Sequence, residues 1–138
     1  MPNSLMDVEL KNRVVSFEIA QRLKALGVPQ EADYSWMYID GEWDIYWHQS
    51  QAFGQLTQFQ WEKAVRDSFA AFTVDELIYL LGNKFGVLER FHGGGFGAYI
   101  PNDCGVNGIA DSPADALALL LEGVFEVELT DANADQGA

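Results

Sequence analysis

Apolar residues recur at helical spacing from Phe17 onward. Phe17, Ala20, Leu23 and Leu26, with Ile19 at the margin, form one stripe, while Gln21, Arg22 and Lys24 take the other positions. Ser16 stands where an N-cap is needed and Glu18 lies near the positive end of the helix dipole. Gly27 supplies a left-handed terminator, Val28 can fold back on the helix, and Pro29 blocks its continuation. A helix from about residue 16 to 26 follows.

The period then changes to two. Tyr34 to Ile39 and Glu42 to His48 flank Asp40-Gly41, a pair suited to a two-residue type I′ turn, which needs positive φ at both central positions. Such a turn sets Ile39 opposite Glu42, Tyr38 opposite Trp43, Trp36 opposite Ile45 and Tyr34 opposite Trp47. Opposed residues share a face. One face therefore carries Tyr34, Trp36, Tyr38, Trp43, Ile45 and Trp47 and no charge, which reads as a core face. The other carries Ser35, Met37, Asp44 and Tyr46, which reads as the outer one, and Met37, Asp44 and Tyr46 are its candidate partner-binding residues. A slip of one residue would exchange the faces, so the register is strongly specified.

Residues 50–60 are Gln-rich and read as a loop. Trp61, Ala64, Val65 and Phe69 fit either a short helical face or an extension of the sheet. Thr73-Val74-Asp75-Glu76 is a capping box opening a helix through Leu77, Ile78, Leu80 and Leu81, ended by Gly82-Asn83, with Phe72 placed to staple onto Leu77. Phe85 to Phe91 and Phe96 to Ile100 read as two strands joined by a glycine-rich turn, with a turn at 101–105 and a short edge strand at 106–110. Ser112-Pro113-Ala114-Asp115 opens a last helix that is apolar on nearly every side to about Val124, as expected of a helix lying across a sheet. The expected architecture is α+β: an antiparallel sheet of about four strands with about three helices packed on one face. Residues 1–12 read as a loose leader, 13–128 as a single domain and 129–138 as a disordered acidic tail.

Composition narrows the function classes. The chain has 138 residues, 49% of them hydrophobic, enough for a core without disulfides or a structural metal. No apolar run reaches the roughly 18 residues that cross a bilayer, and the N-terminal residues show no secretory pattern. A single cysteine, Cys104, gives no internal disulfide framework. These features point to a cytoplasmic protein. The net charge is −13, and no Lys or Arg follows Arg90, whereas eight acidic residues do. Binding to a nucleic-acid backbone needs clustered Lys and Arg, so the charge argues strongly against direct nucleic-acid recognition. An acidic surface serves solubility, or docks on a basic partner.

Candidate chemistry is sparse. His48, His92 and Cys104 lack the local pairing of a zinc site, and no motif ties either histidine to the cysteine as a base. Neither a cofactor nor a metal is expected. His92-Gly93-Gly94-Gly95-Phe96-Gly97 looks most like a ligand loop, since glycines let backbone amides approach an anion. Phosphate loops, however, join a strand to a helix, and this one joins two strands. Its functional version has Arg90, His92, Gly93, Gly94 and Gly95 meeting a small ligand or nucleotide. The acidic pairs are accounted for by capping and turns, leaving nothing for general acid–base work.

The order of Val15-Ser16-Phe17-Glu18-Ile19-Ala20-Gln21-Arg22-Leu23-Lys24-Ala25-Leu26-Gly27, an aromatic strand pair, Phe72-Thr73-Val74-Asp75-Glu76-Leu77 and Ala110 to Ala118 resembles small hypothetical proteins of bacteriophages and prophages. The likeness spans roughly residues 14–124 and brings no catalytic motif. It implies a protein made in an infected or lysogenic bacterium, where accessory functions include blocking host defence. The leading expectation is a non-enzymatic accessory protein in the bacterial cytoplasm that acts by protein contacts, for instance on a basic host defence protein. A monomer or a homodimer is compatible with the pattern.

Overall fold

A computed structural model describes residues 10–11, 13–47, 56–100 and 107–136, the last eight of these as backbone only. The expected turn at 101–105, His48, Cys104 and most of the leader lie outside the described residues. Among the described residues the fold is α+β, with helices and two antiparallel three-stranded sheets as follows.

Helix α1 spans Phe17–Leu26. Its C-terminus is the expected one: Gly27 has φ 92°, and its N–H and that of Val28 bond back to the carbonyls of Lys24 and Leu23 at 3.1 Å each. Val28 is thereby buried. The N-terminus differs. The Ser16 side chain makes no cap; its backbone N–H donates instead to Asp115 Oδ1 at 2.7 Å, from a helix 99 residues away.

Strands β1 (Tyr34–Ile39) and β2 (Glu42–Trp47) form the hairpin. Asp40 and Gly41 have φ of 56° and 83°, as a type I′ turn requires, and all the expected cross-strand pairs are present. The ambiguous stretch resolves into both of its alternatives. Helix α2 (Gln58–Arg66) opens on a capping box between Thr57 and Gln60, and strand β3 (Phe69–Ala70) pairs antiparallel with β1. The first sheet thus runs β2-β1-β3.

Helix α3 (Val74–Leu81) has the Thr73–Glu76 box, with the second Glu76 oxygen also accepting the Asp33 N–H at 2.9 Å. A short 3-10 turn, Gly82–Lys84, ends it. Strands β4 (Val87–Arg90), β5 (Phe96–Tyr99) and β6 (Asn107–Ala110) make the second sheet in that order. Helix α4 runs Pro113–Gln136. It continues well past Val124, through backbone expected from composition to be a loose tail.

The single expected sheet is therefore two, and the residues just before α1 tie the first of them to the start of α3. Val14 pairs with Thr73, the Val15 N–H donates to the Phe72 carbonyl at 3.0 Å, and the buried Trp36 indole N–H donates to the Val15 carbonyl at 2.9 Å. Phe72, Val14 and Val15 are fully buried beside Leu23 of α1, Leu77 of α3 and Leu117, Leu120 and Leu121 of α4. Helix α4 is the common floor. It packs on β5 and β6, on α3 and on α1. Its rim contact with α1 is a bidentate pair, Arg22 Nε and Nη2 to Glu122 at 2.7 and 2.9 Å. Half of the Arg22 side chain is exposed, so the pair contributes about 0.5–1 kcal/mol and the apolar seam does most of the holding.

Gly108 shows how tight that seam is. A Cβ there would stand 2.1 Å from the Ala116 carbonyl oxygen and 2.8 Å from the Leu120 amide nitrogen, both backbone atoms of α4. Gly93 has open space around its Cβ position. Gly108→Ala should therefore cost about 3 kcal/mol in urea unfolding, through overpacking, whereas Gly93→Ala should stay within about 0.5 kcal/mol. Equal effects at the two positions would contradict the packing of β6 on α4.

Candidate functional site: the aromatic and acidic hairpin

The hairpin has two unlike faces, and neither matches the sequence expectation in full. On the face read as core, Trp36 is buried and Tyr34 and Ile45 are partly so, but Tyr38, Trp43 and Trp47 are exposed at 51%, 37% and 48%. Phe17, the first residue of α1, is the one that reaches the hairpin rings. The Phe17 ring lies 4.8 Å from Trp43, 5.6 Å from Trp36 and 5.7 Å from Phe69. Trp43 in turn lies 5.5 Å from both Tyr38 and Phe69. Each such pair adds about 0.5–1.5 kcal/mol beyond its buried area, so the rings hold one another in place. The result is a fixed aromatic band that starts in the core and ends in solvent.

One end of the band already carries a cation. Lys24 Nζ sits 5.1 Å above the Phe69 ring and donates to the carbonyls of Arg66 and Ser68 at 3.0 and 2.8 Å. It neutralises the C-terminal end of α2 while resting on an aromatic face.

The opposite face corrects a second expectation. Met37, read as part of an open outer surface, is buried, as is Ser35. Helix α2 packs on β1, with Ala64 buried, and supplies cover that the sequence pattern did not disclose. Asp44 and Tyr46, on β2, stay partly exposed. The Tyr46 phenol is held above its ordinary value near 10, first by partial burial and then by the carboxylates of Asp44, Asp40 and Glu42. The rim of the hairpin is thus negative as well as aromatic. Asp44 makes one further bond: its Oδ1 accepts the Ile45 backbone N–H at 2.8 Å.

The glycine-rich loop has a structural explanation. Phe91 N–H donates to the Gly95 carbonyl at 3.0 Å and Gly94 N–H to the Phe91 carbonyl at 3.1 Å. With Gly94 at φ 106°, this is a three-residue hairpin link closed by a left-handed glycine. Gly97 admits the Phe91 ring, which would stand 2.5 Å from a Cβ there. Arg90, His92, Gly93 and Gly94 are exposed and Gly95 is partly so. The open groove beside the loop, about 570 Å³, is lined by Gly94, Gly95, Glu18, Asp111, Asp115 and Arg22. Arg22 is held by Glu122. Three carboxylates around one engaged guanidinium make a poor setting for a phosphate. Among the described residues no group of three His, Cys, Asp or Glu side chains is placed to hold a metal ion, and no helix is long and apolar enough to cross a membrane.

The remaining large exposed apolar side chains, such as Phe59, Tyr79, Ile109 and Val127, lie on four different elements. Tyr79 is a single exposed ring beside Glu31, Asp75 and Glu76, whereas the hairpin presents three exposed rings together with its acids. No family model, curated protein or solved structure matches the chain.

The Tyr46 environment gives a direct check on the rim's charge. A phenol raised in the folded state contributes stability that is present below the unfolded value near 10 and lost as pH rises through the folded value. Asp44→Asn should lower the Tyr46 midpoint toward 10, followed by the ring carbon resonance in NMR. An unchanged midpoint would show that Asp44 does not act on this face.

Proposed function

We propose that this chain is a non-catalytic binding protein that docks a basic protein partner on the hairpin 34–47. The observation that carries this reading is the set of exposed rings Tyr38, Trp43 and Trp47, bordered by Asp40, Glu42 and Asp44 on one rigid turn. Aromatic residues anchor protein interfaces because each offers a large contact area at low entropy cost. The carboxylates select for Lys and Arg and speed encounter. Lys24 on Phe69 is an internal example of an ammonium resting on this same cluster. A net charge of −13 opposes self-association through so acidic a rim and favours a monomer bound to a basic partner. The resemblance to small bacteriophage and prophage proteins supplies the setting we propose: an accessory protein in the bacterial cytoplasm, restraining a basic host protein such as a defence factor.

Affinity capture from bacterial lysate on the immobilised chain tests this. A basic protein should be retained at about 50 mM salt and released at several hundred millimolar, as expected where the Debye length falls toward 3 Å. Asp40→Asn with Glu42→Gln should weaken retention at least tenfold while leaving the unfolding midpoint nearly unchanged, since Asn suits the left-handed turn position. Trp47→Ala should weaken it comparably. Retention that ignores both salt and these variants would refute the reading.

A further inference from the structure

Resting on the binding role just proposed, we infer that the occupant is an extended segment of the basic partner, added as a strand to the outer edge of β2, with apolar and basic residues alternating. Strand β2 is the edge of its sheet in the order β2-β1-β3. In a hairpin closed by a two-residue turn, Ile39–Glu42, Met37–Asp44 and Ser35–Tyr46 are the pairs that exchange backbone hydrogen bonds. The amides and carbonyls of Trp43, Ile45 and Trp47 therefore point away from β1, and among the described residues no strand pairs with them. Edges of this kind are templates for strand addition unless they are blunted.

This edge is blunted selectively. Asp44 covers the Ile45 N–H through its own side chain, a single local bond at the half-exposed rim. Glu42, Asp44 and Asp40 surround it with negative charge. A second copy would bring the same carboxylates against these and be repelled, which argues against pairing of two β2 edges. A basic strand meets the reverse condition. Its arginine or lysine side chains attract Asp44 off the Ile45 N–H, and its own carbonyl accepts that proton in exchange, so no donor is left unpaired.

The two faces of β2 then dictate the sequence of the guest. Residues of an added strand alternate between faces. Those on the aromatic face lie beside Trp43, Ile45 and Trp47 and match apolar side chains. Those on the other face lie beside Glu42, Asp44 and Tyr46 and match basic ones. A charge-only attraction has no such alternation, and this separates strand addition from simple docking of a basic surface.

The test uses two labelled nonapeptides of identical composition with the full chain: Arg-Val-Lys-Val-Arg-Val-Lys-Val-Arg, and a blocked permutation with the four valines together. Fluorescence anisotropy at low salt should show the alternating peptide binding at least tenfold more tightly. N-methylation of alternate amides of one parity should abolish its binding, and methylation of the other parity should leave it nearly intact, because only one set faces β2. Amide exchange at Trp43 and Trp47 should slow by at least tenfold in the complex. If both peptides bind alike and neither methylated series differs, strand addition is overturned while the salt-sensitive docking of a basic partner stands. If no peptide binds although a basic protein is captured from lysate, strand addition falls alone. If neither peptide nor lysate protein is retained, both fall together.

Discussion

The two backbone groups of Val15 hold the hairpin and the approach to α3 in register. Its N–H goes to the Phe72 carbonyl and its carbonyl takes the Trp36 indole N–H, all within the core. The first bond fixes where α3 begins, since Phe72 precedes its cap residue Thr73. The second fixes the depth at which the hairpin sits against the start of α1. An unmet indole N–H or carbonyl at these depths would cost about 1–3 kcal/mol each, so the hairpin has one seat. Phe17 follows two residues later, and from it the ring contacts run outward to Trp43 and Tyr38. The solvent-facing band is positioned by bonds made in the core.

Around that seat, the helix ends are tied to distant chain as much as to themselves. Asp115 would ordinarily cap its own helix, yet it accepts the Ser16 N–H of α1, while Ser112 caps α4. Glu76 satisfies its capping box and also the Asp33 N–H ahead of β1. Gln30 accepts from Ala70 N–H and donates to Val28 O, closing the connection between α1 and the hairpin onto β3. Each short-range signal in the sequence thus acts at long range as well. That economy suits a small chain, in which a limited core leaves little to hold loops otherwise.

What was legible in the sequence is what is decided locally. Asp40-Gly41 determines the hairpin register because only certain residues accept positive φ, and the pairs follow from it without knowledge of the rest. Gly27 and Thr73–Glu76 are legible for the same reason. Thr57–Gln60 carries the same signature and was hidden only by the glutamines around it. Which face of the hairpin is covered, and for how far, is decided by α1 and α2 arriving from elsewhere. Alternation says that Tyr34, Trp36 and Tyr38 share a face; it does not say that cover stops between Trp36 and Tyr38. Met37 was misplaced for the mirror-image reason, since the helix that buries it comes twenty residues later. The split into two sheets is likewise a matter of which strands find each other.

The glycines divide along the same line. Gly94 is required by a turn that its own segment closes, whereas Gly97 and Gly108 are required by neighbours, a phenyl ring and a helix backbone. A glycine-rich run therefore announced a ligand loop where the physics asked for a tight link and two close approaches. The hairpin shows the opposite bias: a stripe that announced a core extends beyond it. Exposed rings on an edge strand carry a standing cost, because they invite pairing with any passing chain. Here the acids at the turn and rim limit which chains can respond. In the binding role proposed, such an aromatic and negative edge would repel its own copies and accept a basic strand. On that proposal, selection by charge and anchoring by rings would reside on the same two strands.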